Sequence, residues 1–300
     1  MKNIGRENGI TVNPLRDVYA GTLADVIEEK RIPLEARELI PRITNFDGVD
    51  IATRHLTYVK YFYDGKALIT DLRPNTVPVL ADDGKPYTVP LKWISFGVRT
   101  DVNELDDIKT GKLYPVNRIR QAFRIVAETE NTFLLNGFEQ LGIDGFEDMD
   151  SGEGIHVVAG SKRWETATGE EILEDILKMK IAMETGRKYI ARTLAVPEKL
   201  AFLLERVYTT KTGERSSNAE SIREVLVKRG YFQNIKSVIG IAAPMGLDDI
   251  PENMGFVEVQ PISIGEEYKE GRATVAPIEE KVSPFILIQP EAVVKLTGVA

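Results

Sequence analysis

The chain contains no cysteine and only two histidines, His55 and His156, among its 300 residues. The first absence removes disulfides, thiolate metal sites and a cysteine nucleophile by arithmetic. The second leaves little for a histidine-based metal site, which would need both rings plus carboxylates, since the two stand far apart and in different elements. A strand histidine and a loop-edge histidine account for them better. Blocks of five or six like charges are also missing, and the formal net charge is -8, from 46 acidic against 38 basic residues. That argues against a dedicated nucleic-acid binder, which needs clustered positive charge to displace counterions from phosphate. A neutral or acidic wall that merely surrounds nucleic acid is still allowed. No stretch approaches the roughly 18 apolar residues that span a bilayer. The opening MKNIGRENGITVNP lacks the apolar core of a signal peptide, so the chain is expected to be made in the cytosol, with no membrane partner.

Catalytic signatures are missing too. The sequence holds no G-x-x-x-x-G-K-[ST] phosphate loop, no G-x-S-x-G elbow, no H-E-x-x-H and no G-x-G-x-x-G. Gly152-Glu153-Gly154 lacks the third glycine and reads as a hinge. The cluster Asp144, Glu147, Asp148, Asp150 and Glu153 misses the spacing of a calcium loop and reads as a solvated turn. Asp101, Glu104, Asp106 and Asp107 read as the junction between a strand and a helix leader. No catalytic residue, cofactor or metal ligand is assigned. A soluble metal-dependent enzyme built on the acidic cluster remains a second alternative.

What is present is an ordinary folding composition, 43% hydrophobic and 28% charged. Asn13-Pro14 starts a short helix that ends near Lys30. The runs Ile51 to Tyr63 and Tyr87 to Thr100 are dense in β-branched and aromatic residues and predict long strands. In the second, Ile94, Phe96 and Val98 share one face and Trp93 takes the other, which predicts burial on both sides. Between the runs, Asp64-Gly65 and Asp83-Gly84 signal turns while Pro74 and Pro78 break pairing. Two readings stay open there, a compact meander and a long two-stranded ribbon. The ribbon would reach roughly 40 Å for about 12 residues and, being marginal in water by itself, would need a neighbour to lie on.

The clearest element is a long amphipathic helix, with Val116, Ile119, Phe123, Val126, Glu130 and Phe133 at spacings of three and four and a stop at Asn136-Gly137. A turn-rich connector, GIDGFEDMDSGEG, follows. Three further helices are expected, opened by a Thr168/Glu171 capping box, by Pro197 and by Ser217 with Glu220. Strands return at SVIGIAA, GFVEVQPISI, GRATVAPIEEKV and PFILIQPEAVVKL. This order is α+β and not the alternating pattern of a doubly wound sheet.

Taken in that order, four stretches resemble the major capsid proteins of tailed phages (the Hong Kong 97-like fold) and the related encapsulin shell proteins. YFYDGKALITDLRPNTVPVLADDGKPYTVPLKWISFGVRTDVNELDD resembles the extended loop and its return strand. NRIRQAFRIVAETENTFLLNGFEQLGIDGF is similar to the family's spine helix, VPEKLAFLLE through IREVLVKRG to its axial-domain helices, and SPFILIQPEAVVKLTG to its closing strand. The resemblance implies an N-terminal arm and lead-in over 1–49, an extended loop of two long strands over 50–100, and a peripheral domain with the spine helix over 101–150. It further implies an axial domain over 151–250 and returning strands over 251–300. Tyr63, Lys66, Leu68, Ile69, Leu72, Arg73, Val77, Val79 and Leu80 of the loop become candidates for the contact with the next subunit. Val116, Ile119, Phe123, Val126 and Phe133 become the core face of the spine helix.

The implied function is structural. Copies of the chain would self-assemble into hexamers and pentamers of an icosahedral virion shell that encloses double-stranded DNA without reading it, with portal, scaffolding or decoration proteins as further partners. No cofactor is implied. Some members reinforce the shell with a covalent Lys to Asn bond; Lys66, Lys85 and Lys92 lie in the right region here, but no partner is matched, so the bond is not carried over. The stretch ELDDIKTGK resembles an encapsulin segment, which keeps a compartment around a cargo enzyme as the first alternative.

Overall fold

The computed structural model describes residues 35–44, 46, 48–61, 84–104, 116–149, 154–185, 189–215 and 219–300. The helix expected after Asn13-Pro14 and the loop positions Tyr63, Lys66, Leu68, Ile69, Leu72, Arg73, Val77, Val79 and Leu80 lie outside these residues.

In chain order the first half comprises α1 (Glu35–Leu39), β1 (His55–Tyr61), β2 (Gly84–Pro90), β3 (Lys92–Asp101), α2 (Val116–Asn136) and β4 (His156–Ala159). Then come α3 (Gly169–Glu184), β5 (Thr193–Pro197), α4 (Glu198–Leu204), α5 (Ile222–Arg229), β6 (Asn234–Val238), β7 (Met245–Leu247) and β8 (Met254–Gly255). The chain closes with β9 (Glu258–Ile264), β10 (Tyr268–Glu270), β11 (Ala273–Val282), β12 (Ile286–Leu287) and β13 (Val293–Thr297).

β1 and β2 form an antiparallel ribbon whose register runs without a slip from His55↔Pro90 to Tyr61↔Gly84. The segment read from sequence as one strand from Tyr87 to Thr100 divides at Leu91. The Leu91 N–H donates to the Arg54 carbonyl at 2.8 Å at the foot of the ribbon, and the chain re-enters a different sheet as β3. There β3 pairs with β11 from Lys92↔Val282 to Asp101↔Ala273. The other edge of β11 is shared by β9 and β10. The expected burial of β3 on both faces does not hold, because Trp93 is 45% and Phe96 42% exposed. Among the described residues β3 pairs only with β11 and so forms the rim of this sheet, where one side of each flanking side chain lacks a neighbouring strand.

α2 spans 21 residues and lies over this sheet. Ile119, Ala122, Phe123 and Val126 meet Val98, Ile262, Ala276 and Ile278 in one core. Farther along, Phe133 meets Ile143 and Val282, and Leu134 and Leu135 enter another core with Leu39, Ile40, Phe146, Met149 and Phe256. That core also receives Ala195 and Val293 from a five-stranded sheet ordered β4-β13-β7-β5-β6. The opposite face of the sheet, with Leu194, Val196, Val294 and Leu296, packs on α3, α4 and α5 through Ile172, Ile176, Met179, Leu200 and Ile222. The switch of face at each step along β5 and β13 is the two-residue period of a strand buried on both sides.

Helix starts follow capping chemistry. The Thr168 hydroxyl accepts from the Glu171 N–H and the Glu171 carboxylate from the Thr168 N–H. For α5 the box is Ser221 with Glu224, which corrects the expected Ser217 and Glu220. The S-x-x-E spacing occurs twice in succession, and only the second copy directly precedes the buried Ile222, Val225 and Leu226.

α2 ends at Gly137, in the left-handed region at φ +67. A Cβ there would stand 2.2 Å from the Ile143 carbonyl, and one on Gly145 would stand 2.2 Å from the Gly137 nitrogen. Gly142, at φ +61, faces open space. Gly142→Ala should therefore lose only the left-handed penalty, roughly 1–2 kcal/mol, whereas Gly137→Ala adds to that penalty a clash of two backbones, Gly145→Ala meets the same clash without the penalty, and both should lose clearly more. Denaturant unfolding of the three variants checks this, and equal losses at all three would contradict the close approach.

Candidate functional site

The part of the molecule built to reach outward is the β1–β2 ribbon, and its root is fastened in three ways. Leu56, 3% exposed, is buried with Ile43, Val257 and Ile286. The Leu91 N–H ties the outgoing strand to Arg54. Lys281, on the outer face of β11, donates from Nζ to the carbonyls of Ile51 at 2.6 Å and Thr53 at 2.5 Å, while its charge lies 5.3 Å from the Trp93 ring. Asp50 closes the same turn by accepting from the Thr53 N–H at 2.8 Å and hydroxyl at 2.7 Å. The Thr53 hydrogen bonds hold the Asp50 carboxyl below its ordinary value.

Beyond the root the side chains turn outward. Thr57, Val59, Lys85, Tyr87 and Thr88 are exposed. The Tyr58 and Tyr87 rings stack across the strands at 5.6 Å, and burial, with Tyr87 alongside, pushes the Tyr58 hydroxyl up to about 12. Beside them runs an open groove of about 910 Å³ whose walls include Leu141, Ile143, Phe285 and Ile288. The described part of the ribbon is thus fastened at its root and carries exposed side chains beyond it.

The other candidate residues take structural places. Ile119, Phe123, Val126 and Phe133 are 2%, 6%, 1% and 8% exposed; Val116 opens α2, and its side chain lies outside the described residues. Of the acidic groups weighed as metal ligands, Glu104, Glu147 and Asp148 are engaged locally, while Asp106, Asp107, Asp150 and Glu153 lie outside the described residues. Glu104 forms a two-pronged pair with Arg118, both contacts at 3.0 Å. Asp148 accepts from the Gly145 N–H, and Glu147 from the Asn136 side chain. His55 and His156 sit on β1 and β4, in separate sheets. Among the described residues no group of three or more His, Cys, Asp or Glu is placed to hold a metal ion, and no helix is long and apolar enough to cross a membrane.

Sequence reading missed two features. Lys281 was passed over as part of a strand. Arg37 was passed over in a stretch punctuated by Pro33 and Pro41 with room for one or two helical turns, yet it gathers Glu130, Glu258 and Glu280. The signals existed: Glu130 lies within the apolar stripe of α2, and the Glu-Glu-Lys run interrupts an otherwise apolar strand.

The described residues form an α+β body in which one long helix joins two sheets and a two-stranded ribbon is fastened at its foot. A family model described as major capsid protein matches residues 65–244, more than half the chain, and the chain belongs to that family. Solved structures share the fold. The capsid of Myoviridae phage XM1 aligns with a TM-score of 0.64 at 13% identity, covering 86% of this chain and 90% of that one. The virus-like particle from Pyrococcus furiosus gives 0.59 at 18% identity, with 93% and 98% covered. The capsid of the native GTA particle gives 0.60 at 14%, with 89% and 91% covered. No curated protein matches the chain by sequence. The protein is thus a structural capsid protein with the α+β tailed-phage capsid fold that the order of its segments implied.

Replacing Lys281 by Met should leave the carbonyls of Ile51 and Thr53 without their donor, a loss of about 1–3 kcal/mol confined to the ribbon root. Hydrogen exchange should then accelerate over residues 50–61 and stay unchanged in α3 and β5. Unchanged protection at the root would contradict its fastening by Lys281.

Proposed function

We propose that the chain is the major subunit of an icosahedral virion capsid, that it assembles into hexamers and pentamers, and that the closed shell encloses double-stranded DNA without sequence readout. The observation that carries this reading is the ribbon. It is rooted at one end, its register continues unbroken to Tyr61↔Gly84, and its exposed strands need a surface to lie on. A surface on the next copy makes a head-to-tail contact, and such contacts close into rings when the rotation between copies allows it. Many modest contacts of this kind sum to a stable shell. In this reading residues 1–49 are an arm and lead-in, 50–100 the extended loop and 101–150 the peripheral domain with its spine helix. Residues 151–250 form the axial domain, and 251–300 return strands to both. Tyr63, Lys66, Leu68, Ile69, Leu72, Arg73, Val77, Val79 and Leu80 supply the contact with the neighbour. The net charge of -8 suits a wall that confines DNA rather than gripping it. Portal, scaffolding and decoration proteins would be the other partners.

The resemblance of ELDDIKTGK to an encapsulin segment favours a second reading, a compartment around a cargo protein, and the fold is shared with a virus-like particle over 98% of that chain. Purified particles distinguish the two by content, nuclease-protected DNA against packaged protein.

The arm itself is tested by shortening it. Because Tyr61 and Gly84 are register partners, residues 62–83 can be replaced by an Asn-Gly turn without disturbing β1 and β2. The shortened protein should fold, with its secondary structure retained, and fail to form shells in light scattering and negative-stain microscopy. Complete shells from this variant would contradict the role given to the arm.

A further inference from the structure

We propose that Arg37 and the two fully buried glutamates it gathers, Glu130 and Glu280, are a proton-responsive joint, which takes up a proton above the usual glutamate range and thereby sets how firmly α2 is held on the long sheet. The joint lies where four parts of the chain converge. Arg37 comes from α1, Glu130 from α2, Glu258 from β9 and Glu280 from β11. One guanidinium nitrogen, Nη2, stands 2.7 Å from Glu130, 3.0 Å from Glu258 and 2.7 Å from Glu280. Nε donates to both oxygens of Glu130 at 2.9 and 3.0 Å. The carboxylate side chains are 0%, 4% and 0% exposed, and the Phe256 ring lies 5.6 Å from the guanidinium.

Three carboxylates that touch one nitrogen atom are at most two contact lengths from one another. At such range and without water, Glu130 and Glu280, which share the single charge of Arg37, cannot both ionise at the ordinary glutamate pKa, so the first proton is taken up early and belongs to that pair rather than to one residue. The neighbouring charges among the described residues do not alter this crowding. Arg42 reaches Glu258 at 2.8 Å from the solvent side and is itself half exposed. Lys281 points to the opposite face, toward the carbonyls of Ile51 and Thr53. Lys92, opposite Val282 in the ladder, lies at the end of β3 on the face of Glu280. On α1, Glu35 accepts from the Ile239 N–H, and the Glu38 carbonyl takes the Lys236 ammonium. Asn131 of α2 accepts from the Ala36 N–H at 2.9 Å. Burial opposes the Arg37 charge, yet the hydrogen bond to Glu130 and the three carboxylate charges outweigh it and hold the guanidinium above its ordinary value.

The sign follows from linkage. Between the ordinary glutamate range and the raised value of the joint, the folded state carries a proton that the unfolded chain has lost. Stability therefore declines as pH rises through that raised value and levels off above it. Further acidification, below the ordinary range, removes the carboxylates that Arg37 needs and loosens the joint from the other side.

Glu280→Gln imitates the first protonation. The purified, assembled protein and this variant are melted at a series of pH values from 5 to 9, with Glu130→Gln as a second variant should the first not fold. The wild-type melting temperature is expected to fall by several degrees more than that of the variant across this range, with the variant the more stable at the alkaline end. A difference between wild type and variants that stays constant with pH overturns the proposal. Infrared spectra of wild-type particles containing 13C-glutamate give an independent reading. A protonated carboxyl band that persists at neutral pH and disappears with rising pH supports the joint, and the lack of any such band above pH 5 overturns it.

Discussion

The placement of the two sheets relative to each other depends on how α2 is held. Its first turns share a core with β3, β9 and β11 through Phe123 and Val126, and its last turn shares a different core with α1 and the five-stranded sheet through Leu134 and Leu135. Between them, Glu130 binds Arg37 together with Glu258 and Glu280. Apolar contacts at the two ends fix the position of the helix but tolerate small slides, since dispersion and burial are not directional. The charged group in the middle is directional and fixes the register. Removing Arg37, the one partner that all three carboxylates share, would strand them without water, so the group depends on that guanidinium.

The ribbon inherits its direction from the same arrangement. Consecutive residues of β11 point to opposite faces, so Glu280 reaches toward α2 while Lys281 reaches the turn that starts β1. Two adjacent residues of one strand thus serve the charged group beside α2 and the foot of the ribbon. The unbroken register from root to Tyr61 carries that orientation outward, where the neighbouring subunit would meet it.

Much of this was legible from the residues. The stripe from Ile119 to Phe133 has a period that only a helix satisfies, the Thr168 capping box has one meaning, and Asn136-Gly137 marks a stop that the left-handed φ of Gly137 explains. What could not be read was pairing between distant segments. Trp93 and Phe96 look like core residues by type and are exposed because β3 lies at a rim, a matter of neighbours about 180 residues away by the ladder with β11. Leu91 looks like the middle of a strand and is a corner because Arg54 accepts its N–H. Ser221 was hidden behind an identical spacing four residues earlier. Glu130 was visible within the apolar stripe, but its meaning depended on charges from α1, β9 and β11 that no local pattern connects. The two β-rich runs of the ribbon were legible, while the turn-rich segment between them was open to either a compact meander or a long ribbon. Its rooting through Lys281 was not, since nothing local links that residue to Ile51.

Shell building asks for a stiff body and an arm that is incomplete without a neighbour, and among the acidic groups that sequence offered for chemistry Glu104, Glu147 and Asp148 are engaged in holding turns and helix ends. The most direct test is a cryo-electron microscopy reconstruction of particles assembled from the purified chain. It should show closed shells in which residues 62–83 of each subunit lie across the α2 and long-sheet region of the next. A protein that stays monomeric at high concentration, or one whose 62–83 segment folds flat on its own body, would contradict the account.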